Sequence, residues 1–335
     1  MHRYKLIIAA FSPVVNHDIL QAMDAAYIAV DIGGTQLRAA VYPPDSLEAL
    51  EVTRIHTQGD GQTPLERLIG LLEDIWPVNR GVRAISVAVP GPTDPYRGII
   101  MNAPNIPGWE NLALKAILEE RFQTPVALGN DANMAALGEW RHGAGQGHHD
   151  MLYLTISTGI GSGIIIRDKL LLGSHGLAGE LGHVTILLNG PLCGCGQPGH
   201  LEAMASGTAM LHWVEEQLSR GAISRLSQDE PLTGKMITQA AELGDELAIQ
   251  ALARTGTYAG IGLASILHIF NPTAVVIGGG VSMAGDLLLE PMRKAMREHV
   301  MAPQYLDDLV VVRALFGDEA GLVGALTLGR ELFPG

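Results

Sequence analysis

At 335 residues the chain exceeds the usual reach of a single core, so two domains are expected, and an apolar share of 47% is ample to fill both. A net charge of −13 argues against a nucleic-acid backbone as partner, because phosphate contacts need a basic stripe and none is visible, whereas a nucleotide that brings its own metal ion stays compatible. The two cysteines, separated by one glycine, are poorly placed for a disulfide and point to a reduced, cytoplasmic protein, and no apolar run reaches the ~18 residues of a membrane span.

In chain order, the apolar run from Leu6 to Phe11 falls short of the ~7–15 residues of a signal-peptide core, and no Ala-x-Ala site follows it. Residues 1–22 are therefore expected to be an upstream extension, with Met23 opening the domain proper. The run Tyr27-Ile-Ala-Val-Asp31 ends at Gly33-Gly34, and alternation resumes over 36–42 until Pro43-Pro44 stops it. This predicts a β-hairpin whose glycine turn offers bare backbone N–H groups. A third strand is expected over 52–56, an amphipathic helix over 64–76 and a buried strand over 82–89 that breaks at Pro90-Gly91-Pro92. Asn111 is the expected cap of a helix running to Phe122.

A short strand over 126–128 then delivers Gly129-Asn130-Asp131 to a helix over 132–140, and Gly143-Ala-Gly145-Gln-Gly147 reads as a linker, with His148 and His149 solvated in it. A second hairpin, over 151–157 and 163–167, carries its own glycine turn and suggests that the chain has two related halves. Helices are expected over 201–218, 235–243 and 246–268, a strand over 274–277 leading into Gly278-Gly279-Gly280, and then a helix, a strand and a last helix over 286–299, 309–313 and 319–332. Strands and helices in two hairpin-led sets indicate an α/β chain of two lobes around a cleft.

The chemistry concentrates at the turns. There is no Gly-x-x-x-x-Gly-Lys-Ser/Thr run, and Gly159-x-Gly161-x-Gly163 has the wrong spacing for a dinucleotide fingerprint. Three glycine turns after strands remain as phosphate cradles, since phosphoryl transfer needs positioning and charge neutralisation that backbone N–H groups can supply at close range. Any one turn taken alone reads first as a tight β-turn; Asp31, Thr35, Ser157 and Thr158 beside two of them shift the balance toward the cradle. Asp131 at the first turn of a helix reads either as an N-cap or as a general base facing the cleft, with Asn130 able to hold the same substrate by its amide. His183, Cys193, Cys195 and His200 have the spacing of a structural zinc site.

From Tyr27 to about Arg330 the chain resembles the ROK family, which groups bacterial sugar kinases with sugar-responsive repressors, and within it the glucokinases. The resemblance rests on Asp31-Ile-Gly-Gly-Thr35, Pro90-Gly-Pro92, Ala103-Pro-Asn105-Ile-Pro-Gly-Trp109, Asn130-Asp131-Ala-Asn133, Gly143-Ala-Gly145, Ser157-Thr-Gly-Ile-Gly161, Gly179-Glu-Leu-Gly-His183, Cys193-Gly-Cys-Gly196 and Leu201-Glu202. It implies the actin-like, hexokinase-type (ribonuclease H-like) fold. The lobes would divide at 23–129 and 130–317, with 318–335 returning to the small lobe. It implies ATP with Mg²⁺, held by Asp31, Gly33, Gly34, Thr35, Ser157, Thr158, Gly159, Gly161, Gly278, Gly279 and Gly280, a structural Zn²⁺, and a homodimer without nucleic-acid or membrane partners.

The sugar would be held by Asn105, Asn130, Asp131, Glu180, His183 and Glu202, with Asp131 taking the proton of the hydroxymethyl group of D-glucose. Kinases for N-acetylmannosamine, N-acetylglucosamine or fructose, and a transcription regulator on the same lobes, are the alternatives. Three positions depart from the family pattern: His200 stands where a third cysteine is usual, Ser157 where glycine is common, and Gln36 where lysine is frequent. Zinc accepts Cys₂His₂ as readily as Cys₃His.

Overall fold

Unbroken apolar runs pair as parallel strands and the glycine-tipped segments fold back as hairpins, so that the chain builds one sheet plan twice. In a computed structural model describing residues 25–59, 61–227 and 231–335, strands β1 (Ala26–Ile32), β2 (Gln36–Tyr42), β3 (Glu51–His56) and β4 (Val82–Val89) come first. A small antiparallel sheet of β5 (Thr93–Asp94), β6 (Ile99–Asn102) and β7 (Glu110–Leu112) follows, and β8 (Val126–Asn130) returns to the main sheet, whose order is β3-β2-β1-β4-β8. The second lobe holds β9 (Met151–Ile156), β10 (Ile160–Ile166), β11 (Lys169–Leu170), β12 (Ala274–Gly278) and β13 (Val310–Arg313) in the order β11-β10-β9-β12-β13. In both sheets the hairpin arm is antiparallel and the last two strands run parallel to the first. The extension expected over 1–22 lies outside the described residues.

Two helices fill the space between the sheets. Asp131–His142 packs on β9 and β10, Ala320–Leu332 packs on β1, β4 and β8, and the two pack on each other. Small residues permit this: a Cβ on Gly138 would stand 2.9 Å from Gly324 N, and one on Gly161 would stand 2.9 Å from Ala132 Cβ. The resulting apolar layer takes Tyr27, Ala84, Leu137, Tyr153, Val276 and Leu326 from both lobes. Each sheet also buries a core on its outer face, against Leu68, Leu72 and Leu118 in the first lobe and Leu252, Leu263 and Met292 in the second. A capping box starts the first of these outer helices, Pro64–Asp74, with Glu66 Oε2 accepting from Thr63 N–H at 2.7 Å.

The consequence for the site is positional. Both hairpin turns, the Gly278–Gly280 turn and Asp131 all leave the carboxyl ends of parallel strands (β1, β9, β12 and β8), where open α/β sheets form their binding crevice.

Several local expectations change. Asn111 is no cap: it lies in β7 with φ at 51°, and the helix begins at Leu114 behind Ala113 without a side-chain cap. The helix expected over 201–218 is two, Leu201–Ala205 and Gly207–Ser219, because Ser206 stays extended and accepts from Ala209 N–H at 3.1 Å as a fresh N-cap. The glycine linker is tied down. His148 Nδ1 lies 2.8 Å from Thr273 Oγ1 and His149 Nδ1 lies 2.8 Å from Asp168, while His149 remains solvated as expected. Among the described residues no helix is long and apolar enough to cross a membrane.

Candidate active site

The site begins at the junction of β8 and the Asp131–His142 helix. Asn130, not Asp131, is the N-cap: its Oδ1 accepts from Ala132 N–H at 3.0 Å and Asn133 N–H at 3.3 Å. Its Nδ2 donates to Gly91 O at 3.1 Å, which ties the helix start to the Pro90-Gly91-Pro92 break and leaves one amide N–H for a ligand. Asp131 shares the Ala132 N–H through Oδ1 at 2.8 Å but is not the N-cap, and it opens on the cleft while dense protein encloses it on its other sides. Water withheld by that enclosure pushes its carboxyl up to about 6, against the pull of the Ala132 N–H; the charges of Asp31 and Glu180 push it further the same way.

The first glycine turn closes with Gly33 N–H donating to Gln36 O at 2.8 Å, and Thr57 Oγ1 donates to Gly33 O at 2.6 Å. A Cβ on Gly34 would come 2.8 Å from Asn105 Cβ, so the candidate sugar residue Asn105 packs against this turn. Asp31 pairs with Arg38, its cross-strand neighbour in the hairpin register. Burial raises the Asp31 carboxyl and Arg38 opposes it. Arg38 also reaches the carbonyl of Asp318 and lies 3.5 Å from Glu319, at the approach to the last helix. This cation was not singled out in the sequence; the register of β1 and β2, once known, places it opposite Asp31.

The second turn is anchored from below by Gly207 N–H to Ser157 O at 2.7 Å and Thr208 Oγ1 to Thr158 O at 2.8 Å. Ser157 and Thr158 are exposed, so the serine in place of glycine costs the turn no packing. The third turn divides in role. Gly278 is buried under the Tyr153 ring, and Gly279, with φ at 81°, passes against Ile156 O at the base of the second turn. Only Gly280 of the three has open space at its Cβ position.

Glu180 and His183 sit on a short segment held on β10, where Leu181 N–H donates to Ser162 Oγ at 3.1 Å. Glu180 lines the cleft, and burial raises its carboxyl, with His183 opposing and Glu202 adding to the rise. Beyond it, ligand atoms of His183, Cys193, Cys195 and His200 all lie within 4.8 Å of one another. His183 presents Nδ1 to Cys193 Sγ at 3.6 Å, and His200 Nδ1 lies 3.2 Å from Cys195 Sγ. Two imidazoles and two thiols so disposed fit a four-coordinate zinc ion, and His183 keeps its Nε2 for another partner. Burial pushes the Cys193 thiol up to about 12, and this thiol donates to Glu202 Oε1 at 3.3 Å. Glu202 Oε2 accepts from Ile160 N–H at 2.9 Å, so one carboxyl joins the thiol cluster to the second turn.

Residues 27–331 match the ROK family, and the chain belongs to it. A glucokinase of Thermotoga maritima is 36% identical over 314 residues, covering 92% of this chain and 98% of that protein. The structure of a ROK family glucokinase from Streptomyces griseus in complex with glucose and AMPPNP superposes with a TM-score of 0.79 at 36% identity, covering 92% of this chain and 100% of the other. A ROK family transcriptional regulator homologous to the E. coli MLC protein superposes with a TM-score of 0.85 at 29% identity, covering 93% of this chain and 79% of the regulator. The two-lobed hexokinase-type fold expected from the sequence is the fold of these proteins.

Proposed function

We propose that the chain transfers the γ-phosphoryl group of ATP to the hydroxymethyl oxygen of D-glucose, giving glucose 6-phosphate, with Asp131 as general base. The observation that carries the reading is Asp131 itself: a carboxyl at the cleft floor, next to the Asn130 N-cap and raised to about 6, has the basicity to accept a hydroxyl proton near neutral pH. The glucokinase relatives, one of them holding glucose with an ATP analogue, supply the substrate class. With both Asp31 and Asp131 in the cleft, a catalytic role fits better than sugar sensing alone.

In this mechanism Asn105, Asn130, Glu180, His183 and Glu202 bind sugar hydroxyls and aim the hydroxymethyl oxygen at Asp131. As that oxygen attacks the γ-phosphorus, the bond to the bridging oxygen breaks and ADP leaves, the hydroxyl proton passes to the Asp131 carboxylate, and the N–H groups of Gly34, Thr35, Thr158 and Gly159 hold phosphate oxygens. Mg²⁺ entering with the nucleotide would supply charge neutralisation, and Asp31 is the carboxylate that would hold it or its waters on this side of the cleft. Zn²⁺, when bound by His183, Cys193, Cys195 and His200, supplies a crosslink between the segments that present Glu180 and Glu202 and plays no part at phosphorus. The same reading takes 23–129 and 130–317 as the lobes with 318–335 returning to the first, a homodimer, and a cytoplasmic setting that suits two free thiols. Steady-state assays with ATP and glucose, N-acetylmannosamine, N-acetylglucosamine or fructose test it. Glucose should give the highest kcat/KM; an N-acetylated hexosamine or fructose that outranks it would reassign the sugar.

A further inference from the structure

The break at Ser206 has a consequence at the second glycine turn. Ser206 accepts from Ala209 N–H at 3.1 Å, and the fresh helix Gly207–Ser219 opens with N–H groups that lack partners within the helix. Two of them find carbonyls of the turn. Gly207 N–H donates to Ser157 O at 2.7 Å and Thr208 N–H to Thr158 O at 3.3 Å, the second bond doubled by Thr208 Oγ1 at 2.8 Å. From the other side, Glu202 Oε2 accepts from Ile160 N–H at 2.9 Å. A single stretch, 202–208, thus fastens the turn at 157, 158 and 160, and the Thr158 and Gly159 N–H groups assigned to phosphate lie within the fastened span.

The fit depends on two glycines. A Cβ on Gly159 would stand 2.5 Å from Glu202 Oε2, and one on Gly207 would stand 2.6 Å from Ser157 O, so neither place accepts a side chain without parting the stretch from the turn. The beginning of the stretch is tied to the sugar side. Leu201 N–H donates to Val184 O at 2.9 Å, next to His183, and the Leu201 side chain is wholly buried against Gly262 of the long helix Glu246–Phe270. Glu202 is half-buried, with Oε2 on the turn and Oε1 toward Cys193 at 3.3 Å. A carboxylate has about four acceptor sites, so it can take a sugar hydroxyl and keep both of these bonds.

We infer that Glu202 couples the two substrates: a sugar hydroxyl on its carboxylate holds the side chain that holds Ile160 N–H, and glucose thereby tightens nucleotide binding at the second turn. A glutamate side chain loses rotamer freedom when it is fixed, and a turn already ordered through Glu202 has less freedom left to lose when phosphate arrives. Linkage makes the effect mutual, so nucleotide must raise the affinity for glucose by the same factor. Glu202 is in this respect a positioning residue for the phosphate turn, beyond its place among the sugar contacts. The inference rests on the sugar-kinase reading for its two ligands, and on the bonds of the 202–208 stretch for the link between them.

Calorimetric titration of the full chain with Mg²⁺ and AMPPNP, with and without saturating glucose, and the reverse titration of glucose, give the coupling factor twice over. Both should come to about tenfold in the wild type. Hydrogen exchange read by mass spectrometry adds a direct view: glucose alone should slow exchange of the amides over 157–161. Glu202→Ala should bring the coupling factor to about one and abolish that protection at glucose concentrations that still saturate it. Glu202→Gln should retain part of the coupling, because its one carbonyl oxygen can accept from Ile160 N–H while its NH₂ serves a sugar hydroxyl. A wild-type factor of one, or a factor unchanged in Glu202→Ala while Tm and both affinities fall, would overturn the inference. If Glu202→Ala does not fold, the wild-type exchange decides, and amides over 157–161 indifferent to glucose would overturn it as well. Failure of the wild type to bind glucose would overturn the sugar reading instead; faster exchange at Ile160 in ligand-free Glu202→Ala than in wild type would still support the link from Glu202 to the turn.

Discussion

If Asp131 accepts the sugar proton, kcat/KM must follow the fraction of enzyme in which it is ionised. Its carboxyl is raised to about 6, chiefly because the cleft floor withholds water. A base works only when deprotonated, so activity is full above that value and falls as pH drops through it. From a pKa of about 6, roughly 97% of the enzyme is competent at pH 7.5, about 9% at pH 5 and about 1% at pH 4, so the rate should fall about tenfold and then about a hundredfold. With both substrates well below KM the profile reports the unliganded enzyme. Reactions stopped at intervals, with glucose 6-phosphate measured afterwards at one fixed pH, keep the detection step out of the profile. A profile flat from pH 7.5 to 5, or an acid limb that survives unchanged in the residual activity of Asp131→Asn, would refute the reasoning.

Stability gives an independent view of the same group. An acid whose folded pKa is raised binds more protons in the folded than in the unfolded chain between about 4 and 6, so stability falls as pH rises through that window; Asp131→Asn removes that loss and should melt above the wild type at pH 7 to 8, the difference closing toward pH 4, as followed by calorimetry. Metal analysis of purified protein should find about one zinc per chain, and chelation or Cys195→Ser should weaken glucose binding and lower Tm together; a fully active protein without zinc would contradict the site. Gly159→Ala would place a methyl group 2.5 Å from Glu202 Oε2. It should raise KM for ATP about tenfold or more through loss of the Ile160 contact and weaken glucose binding by calorimetry as well, since Glu202 also serves the sugar; an unaltered KM for ATP would show that the turn does not hold phosphate.

The glycine turns, the acid at the strand-to-helix junction and the Cys/His spacing were legible because each is a local pattern: a β-run broken by glycines, or ligands a few residues apart. What escaped the sequence depends on partners far along the chain. Glu139 in a helix interior has no mark that separates it from a solvated glutamate, since its two donors come from positions 144 and 316. Arg38 gains meaning only from the hairpin register that sets it opposite Asp31. Glu202 stood out by resemblance as a candidate sugar contact, yet its ties to Ile160 and Cys193 could not be seen. The break at Ser206 was recoverable: Ser-Gly in a helical run is a cap signal, and the flanking apolar pattern concealed it. Asn111 likewise looked like a cap, but the strand pairing of β6 with β7 claimed it first.

The most direct measurement compares turnover and glucose affinity in wild type and Asp131→Asn, by product formation with ATP and by calorimetric titration with glucose. Loss of the base with the site otherwise intact predicts turnover reduced by about 10²–10⁴-fold and a glucose Kd within a few fold of wild type. Near-normal turnover in the variant would contradict the assignment and return Asp131 to the rank of a helix-terminal acid.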